Sequence, residues 1–307
     1  MAGELHDLFT DVTAKHKGTY PNLAGNTRVI LAHGGDSLVP QFEPALRQEA
    51  LRSLEEKGIE VILNTRVTEV GDGFARLATK KTDPTTGKLL GEREETVLPL
   101  SLTVWCAGTA PVPFVNELLS QLPPEARHAD GRVRVDHWMR APMHDPSLLG
   151  SVIVLGDAAA FDEGDGELLP ATAQVAGQCG AYVARLLSRG YDLDTTPPLL
   201  PCYDAEVQDT CDVFYDPALT NWLKFRGLEH APTFRFLNLG MLAYTGGGEA
   251  LSQVQIGDVP LLSIGGSVSY LLWRSVYLVK QVATRNRVLV TFDWWKSKLF
   301  GRDITRL

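Results

Sequence analysis

Apolar positions follow two rhythms in the first third of this chain. "TRVILA", Thr27 to Ala32, is an unbroken β-branched and aliphatic run and predicts a buried strand. Leu46, Ala50, Leu51 and Leu54 then recur at helical spacing, which predicts a helix from about Glu43 to Lys57, stopped by Gly58. "IEVILNTRVTEV" returns to strand character. "FARLATKK", the turn residues Asp83-Pro84-Thr85-Thr86-Gly87 and "EREETVLP" predict a β-hairpin arm. "SLTVWCAGTAP" reads as a further buried strand running into Gly108, and the opening "AGELHDLF" reads as the interior of a helix. Helix, strand, helix, strands, hairpin and strand in that order describe the back part of a doubly wound nucleotide-binding domain over residues 1–111.

The pattern restarts after a proline-rich link, "LPPEAR". "RVRVDHWMR" predicts a short strand, "SVIVLGD" another, and "ATAQVAGQCGAYVARLLSR" a helix from about Ala171 to Arg189. Residues 112–192 form the second predicted domain. Residues 192–235 carry weak periodicity and several prolines, which suits a long connection with short helices. "FLNLGMLAYTGGGEALSQV" and "VPLLSIGGS" predict a small β-rich piece. A last helical stretch runs from about Ser267 through Val282, followed by "RVLVTFDWWKSKLFGRD". Residues 193–307 are grouped as this connection plus a C-terminal docking region.

With 307 residues, 44% of them apolar, the chain can bury a sizeable core, and 21% charged residues exclude a disordered polyelectrolyte. A net charge of −8 argues against a nucleic-acid partner. The charge is uneven: Leu261 to Leu307 hold eight Lys/Arg against two Asp/Glu, so the tail is net +6 and the rest −14. A basic, aromatic tail on an acidic body points to an anionic surface. No run of about 18 apolar residues predicts a spanning helix. Cys106, Cys179, Cys202 and Cys211 form no CxxC pair and no metal spacing, and read as reduced structural thiols. "FDEGDGEL" lacks the spacing of a calcium loop and reads as a solvated turn, so no metal site is expected.

The most suggestive stretch is "SVIVLGDAAAF", where four aliphatic residues stop at Gly156-Asp157. A strand followed by an ordinary turn would explain it. So would a ligand site beyond the carboxyl end of a strand, with Gly156 admitting a close approach and Asp157 accepting from polyol hydroxyls such as a flavin ribityl chain. Gln174 and Gln178 lie at i and i+4 on the following helix, hence on one face, and could hold a flavin edge or a carbonyl substrate; a solvated polar stripe is the plainer alternative. Gly177 and Gly180 leave room for something bulky.

Taken together, "AGELHDLF", "VWCAGTAP", "VIVLGDAAAF", "LPATAQVAGQCGAYVA", "LGMLAYTGGGEAL" and the C-terminal block from "VSYLLWRSVYLVKQVATRNRVLV" to "GRDITR" resemble the type II NAD(P)H dehydrogenases. The plant, algal and fungal branch looks nearest. The resemblance implies an α/β flavoprotein, a partial pair of Rossmann-like dinucleotide-binding domains with a C-terminal membrane-associated helical region. It implies FAD and NAD(P)H as cofactors and a quinone as electron acceptor, without proton pumping. It puts Asp157, with Gly156, on the ribityl hydroxyls, Ala173 and Gln174 near the isoalloxazine ring, and Gln174 and Gln178 at the quinone pocket. Gly108 belongs to the turn near both nucleotides. Tyr244 and Gly246 lie where the C-terminal segment returns towards flavin and quinone. His33, followed by Gly34-Gly35-Asp36, stands where the family carries the residue that chooses between NADH and NADPH, so that choice stays open.

The same resemblance places Arg274, Tyr277, Lys280, Arg285 and Arg287 in a peripheral membrane-docking portion, and the residue pattern agrees, with Tyr270, Trp273, Tyr277, Trp294 and Trp295 interleaved with Lys and Arg. Aromatic residues interleaved with cations suit a helix lying in an interface; a core helix with a basic outer side is the rival. The location implied is the mitochondrial inner membrane, with a plastid membrane as alternative, and a homodimer is compatible. The two glycine-rich phosphate loops of the family do not occur in these 307 residues. The expectation is therefore a truncated form whose activity alone is in question. Two other functions remain to be weighed: a non-catalytic membrane-associated remnant, and a relative of the sulfide:quinone or disulfide oxidoreductases, for which Cys106 and Cys179 are the candidate thiols.

Overall fold

The computed structural model describes residues 1–15, 18–82, 89–164, 166–200, 217–257, 259–281 and 283–301. In chain order the elements are α1 (Ala2–Thr13), β1 (Ile30–Ala32), α2 (Pro44–Glu56), β2 (Glu60–Ile62), β3 (Thr65–Gly71), β4 (Phe74–Thr82), β5 (Leu89–Pro99), α3 (Pro113–Gln121), β6 (Val133–Arg134), β7 (Ala159–Ala160), α4 (Ala173–Ser188), α5 (Pro217–Phe225), β8 (Gly240–Gly246), β9 (Glu249–Ile256), β10 (Val259–Gly266), α6 (Ser267–Val279) and α7 (Thr284–Phe300). They fall into two compact units, Met1–Cys106 with Leu237–Leu307, and Ala107–Phe236. The C-terminal segment thus returns to the unit formed by the first hundred residues, while the described residues of the connection after residue 192 belong to the other.

In the first unit the apolar stripe of α2 meets two clusters. Leu54 packs with Leu38 and Ile59, against Leu31 of β1 and Val61 of β2. Leu46 and Ala50 pack with Phe42 against Leu251 of β9. β1 and β2 pair in parallel, Ile30 opposite Glu60. β3, β4 and β5 form an antiparallel sheet, the predicted hairpin arm, whose turn 83–88 lies outside the described residues. β8, β9 and β10 form a second antiparallel sheet with β9 central. Asn64 interrupts "IEVILNTRVTEV" with a φ of 53°, which divides the predicted strand into β2 and β3.

In the second unit β6 and β7 pair in parallel, Val133 opposite Ala159. α3 places Val115 and Leu119 against Val133, Val154 and Ala159. α4 places Val175, Cys179, Tyr182 and Leu186 against Met139, Phe161, Leu223 and Phe234.

Two predicted strands do not form. "SLTVWCAGTAP" joins no sheet among the described residues, and Leu102, Val104 and Trp105 are exposed. An apolar run becomes a buried strand only when neighbours supply hydrogen bonds and cover its faces, and none does so here. "VIVL" makes a single bridge, Ile153 to Arg140, before Gly156–Ala158 turn as a short 3-10 helix. The sheet pairing falls instead on Ala159–Ala160. Helix α7 covers the segment from Arg287 onward.

The second unit is held by Arg140, whose side chain is 1% exposed. Its Nε donates to Asp136 at 2.7 Å, its Nη1 to the carbonyls of Leu193 and Thr195 at 2.6 Å each, and its Nη2 to Thr196 Oγ1 at 2.9 Å. The guanidinium also lies 5.1 Å from the Trp138 ring centre. Every donor direction but one is thereby used to tie the 192–196 turn to the β6 segment. Arg140→Ala would leave a carboxylate and three acceptors without their donor. Urea unfolding should show a loss of about 3 kcal/mol or more for this unit, and Asp136→Asn should lose less, because the carbonyl contacts persist.

Candidate functional site

In the second unit the Gly156–Ala158 turn lies against α4. Gly156 has a φ of +67°, a left-handed backbone that a β-carbon disfavours, and such an atom would sit 3.2 Å from the Ala176 methyl. The glycine therefore allows both the turn and its closeness to the helix. The Gly156 backbone also hydrogen-bonds to Cys179, an effect smaller than the burial that pushes this thiol up. Asp157, next in the chain, is exposed.

Helix α4 starts at a cap. Thr172 Oγ1 accepts from the Val175 amide at 3.3 Å, satisfying one of the free donors of the first turn. Ala173 and Gly177 are exposed, and Gln174 and Gln178 are partly buried, each with a polar partner. A β-carbon added at Gly177 or Gly180 would meet no atom within 4 Å. Val175, Cys179 and Tyr182 occupy the opposite, buried side. The helix thus turns one face into the core and leaves a bare face beside an exposed carboxylate. That combination suits a flat, polyol-bearing ligand: acceptor oxygens at Asp157, amide side chains at Gln174 and Gln178, and glycine where bulk must pass. The Gly156–Ala158 turn meets α4 at Ala176, so Gly156 and Asp157 lie by the helix, while Gln174 and Gln178 share another face of it, two positions on either side of Ala176; Gly108, with a φ of +76° and open space around it, is exposed in the same unit.

The remaining predicted residues belong to the first unit. His33 follows β1. Its amide donates to Ile62 and its carbonyl accepts from Thr65, at 2.8 and 2.9 Å, and its ring lies over Gly35, where a β-carbon would come within 2.9 Å of Nε2. Tyr244 ends β8. Its hydroxyl donates to Asp7 of α1, and its ring stands 5.3 Å from that of Tyr270 and 5.4 Å from that of Trp273. Burial, and secondarily the hydrogen bond to Asp7, raises the Tyr244 pKa above the ordinary phenol value.

Next to this, Lys57 Nζ bonds Glu249 at 2.6 Å, and Ser53 Oγ donates to the same carboxylate at 2.9 Å. The lysine first, then the serine, hold the Glu249 carboxyl below its usual range. Asp7, Ser53, Lys57 and Glu249 were not singled out from the sequence. Their spacings carry no motif, and only the folding of β8–β9 onto α1 and α2 makes them neighbours.

The C-terminal cations and aromatics divide into two groups. Trp273 stacks between Tyr244 and Tyr277 at 5.4 and 5.3 Å. Arg274 lies 4.1 Å from the Trp294 ring centre, linking α6 to α7. Arg287 donates to the carbonyls of Gln281 and Val279 at 2.9 and 3.2 Å, closing the end of α6. Tyr277, Lys280, Arg285 and Trp295 remain on the surface, with Leu271, Leu289 and Phe292 also exposed. Among the described residues no helix is long and apolar enough to cross a membrane.

Residues 8–180 match the family model for pyridine nucleotide-disulphide oxidoreductases, and residues 238–303 match that for the NDH2 C-terminal domain. The chain is similar to a probable mitochondrial NADH-ubiquinone oxidoreductase of Schizosaccharomyces pombe, 29% identical with 100% of this chain and 51% of the relative covered. It is also similar to the mitochondrial external alternative NADH-ubiquinone oxidoreductase of Yarrowia lipolytica, 26% identical with 100% and 50% covered. The chain therefore spans about half the length of the curated relatives it matches. Among solved structures, NDH2 from Plasmodium falciparum in complex with NADH shares the fold, with a TM-score of 0.68 at 16% identity over 98% of this chain and 64% of that one. The family match covers more than half of the sequence, and the chain belongs to the pyridine nucleotide-disulphide oxidoreductase family, with the α/β fold of that family and an NDH2-type C-terminal segment.

Proposed function

We propose that this chain supplies the flavin-side turn, the quinone-side helix and the C-terminal docking segment of an FAD-dependent NAD(P)H:quinone oxidoreductase. The observation that carries the reading is the juxtaposition of an exposed Asp157, a left-handed Gly156 and the bare face of α4 within a segment matched to the family. Two names among the relatives, NADH-ubiquinone oxidoreductase and external alternative NADH-ubiquinone oxidoreductase, support quinone as acceptor and a mitochondrial setting. FAD and NAD(P)H are the cofactors expected of the family.

When bound, FAD supplies the chemistry: it takes a hydride from NAD(P)H and passes electrons to the quinone. The chain's own part is placement. Asp157 accepts hydrogen bonds from ribityl hydroxyls and so fixes the cofactor along the turn. Gly156 keeps that turn close to α4, so that the helix and the polyol are neighbours. Gln174 and Gln178 present amide donors on one helix face, where a quinone carbonyl is oriented and its developing charge is met by N–H groups. His33 and Gly108 are proposed to border the nucleotide, and Tyr244 to carry the C-terminal segment.

Cys179 does not suit a dithiol mechanism. It is 2% exposed, and burial pushes its thiol pKa up, whereas redox cysteines are accessible and have lowered pKa values.

Exposed Tyr277, Lys280, Arg285 and Trp295, with the apolar surface of α6 and α7, are proposed to rest on a mitochondrial inner membrane from one side. Rings at headgroup depth and cations beside them are the pattern of an interfacial helix. Trp273, Arg274, Arg287 and Trp294 contribute to that surface indirectly, by fixing α6 against β8 and α7.

The flavin assignment is tested by Asp157→Ala. Losing a charged acceptor should weaken FAD binding roughly ten-fold or more, read by flavin fluorescence on titration; unchanged FAD affinity removes Asp157 from the site. Lys280→Glu with Arg285→Glu should reduce partition onto vesicles containing anionic lipid by roughly 30-fold, at about 1 kcal/mol for each cation removed. Equal sedimentation of variant and parent would discard the membrane reading. In the native chain iodoacetamide should label Cys106, which is exposed, and spare Cys179 until the protein is unfolded; mass spectrometry after brief labelling reports which thiol reacts.

A further inference from the structure

Two residues of α1, Gly3 and Asp7, converge on one loop. Gly3 is buried, and a β-carbon there would lie 2.6 Å from the Thr245 carbonyl, so the helix meets the β8–β9 turn backbone to backbone. From the other side, a β-carbon on Gly246, whose φ is +93°, would come within 2.9 Å of the Gly3 α-carbon. One turn further along α1, the Asp7 side chain is 14% exposed and accepts twice: from the Tyr244 hydroxyl and, at 2.8 Å, from the Gly247 amide. The Gly248 amide donates in turn to the Tyr244 hydroxyl oxygen at 3.2 Å. The carboxylate and the phenol together therefore occupy two amide donors, those of Gly247 and Gly248, in a turn built from three successive glycines, Gly246, Gly247 and Gly248. Such a turn has little preference of its own, since glycine is free in backbone conformation.

What the turn controls is the ring of Tyr244. That ring stacks on Trp273 at 5.4 Å and an interplanar angle of 24°, and lies 5.3 Å from Tyr270, both on α6. Trp273 and Tyr270 stand 6.1 Å apart at 11°, and Tyr277 continues the row. α6 buries one residue fully, Ser269, whose hydroxyl donates to the Ile264 carbonyl. The helix also packs on β9 and β10 and is tied to α7 by Arg274, and its aromatic row faces Tyr244, so that ring is one of the contacts that seat it.

We propose that Asp7 is a positioning residue: through Tyr244 it sets the glycine turn and seats α6, and so couples helix α1 to the C-terminal helices. The coupling runs α1 to carboxylate, carboxylate to phenol, phenol ring to α6, and it does not depend on the membrane or cofactor assignments above. A displacement of α1 along its axis would be felt at Tyr277 on the surface, while β3–β5 would not register it.

The test is amide hydrogen exchange of the whole chain, followed peptide by peptide. Tyr244→Phe keeps the stacked ring and removes only the hydroxyl. It should raise exchange of residues 267–279 about ten-fold or more and leave residues 65–82 unchanged. Asp7→Ala should do the same, Asp7→Asn should recover part of the protection because one carbonyl acceptor remains, and the double variant Asp7→Ala/Tyr244→Phe should exchange no faster than the worse single one. The proposal is overturned if Tyr244→Phe leaves exchange of residues 267–279 at the parent rate. Additive effects in the double variant, or loosening spread equally over residues 65–82, would overturn it as well. Should Asp7→Ala fail to fold, Tyr244→Phe and Asp7→Asn decide the matter alone.

Discussion

The apolar stripe of helix α2 has to be covered along its whole length, and this requirement organises much of the first unit. Leu46, Ala50 and Leu54 recur at every fourth position, and the stripe meets two clusters, Leu54 in the first and Leu46 with Ala50 in the second. The parallel pair β1–β2 covers the first. Phe42 and Val39 cover part of the second, and the sheet formed by β8–β10 completes the cover, with Leu251, Met241 and Ala243. Burying a leucine of this kind contributes about 2 kcal/mol, and several do so here. That is enough to hold a sheet whose sequence lies some two hundred positions away, and it explains why the unit is discontinuous.

Polar contacts then fix the orientation that the apolar contacts leave loose. Gln253 accepts from the amide of Glu43 at 2.9 Å, just before α2 begins, and Glu249 takes Lys57 and Ser53 near its end. Sheet and helix are thereby pinned at both ends. Glu249 is 39% exposed, so its bond to Lys57 is partly screened and serves register more than stability. With β9 pinned to α2, its hairpin partner β8 brings Tyr244 to α1. The glycine turn and the aromatic row on α6 are consequences of that placement.

The parts of the fold that were legible in the sequence are those in which local pattern and tertiary burial agree. The α2 periodicity predicted a helix over 43–57, and the helix runs Pro44–Glu56. The α4 segment and the glycine-containing β-rich piece before α6 were equally plain, because Gly, Pro and apolar spacing say the same thing there. "SLTVW" and "VIVL" were misread for one reason. A continuous apolar run states that a segment is suited to burial, but a strand exists only when a neighbour pairs with it. Ile153 finds one bridge and Trp105, at 62% exposure, finds none. At the candidate site, Gly156, Asp157 and the two glutamines were readable from spacing along the chain. Asp7 and Glu249 were not, because their partners lie far off in sequence and no repeat marks either one.

The C-terminal cations show how a composition argument is refined by geometry. From sequence alone all of them looked available to an anionic surface. In the fold, Arg287 spends its guanidinium on the last carbonyls of α6, where a cation complements the negative end of the helix dipole. Arg274 spends its own on the Trp294 ring, a contact stronger for arginine than for lysine because the planar group stacks. Both substitutions to lysine would keep the charge of the tail while loosening the joint between α6 and α7. A surface reading that counted charge would predict no change from either. Arg274 and Arg287 thus serve the joint between α6 and α7, while Lys280, Arg285 and Lys298 are exposed, so the basic segment is at once a scaffold and a charged surface, divided residue by residue.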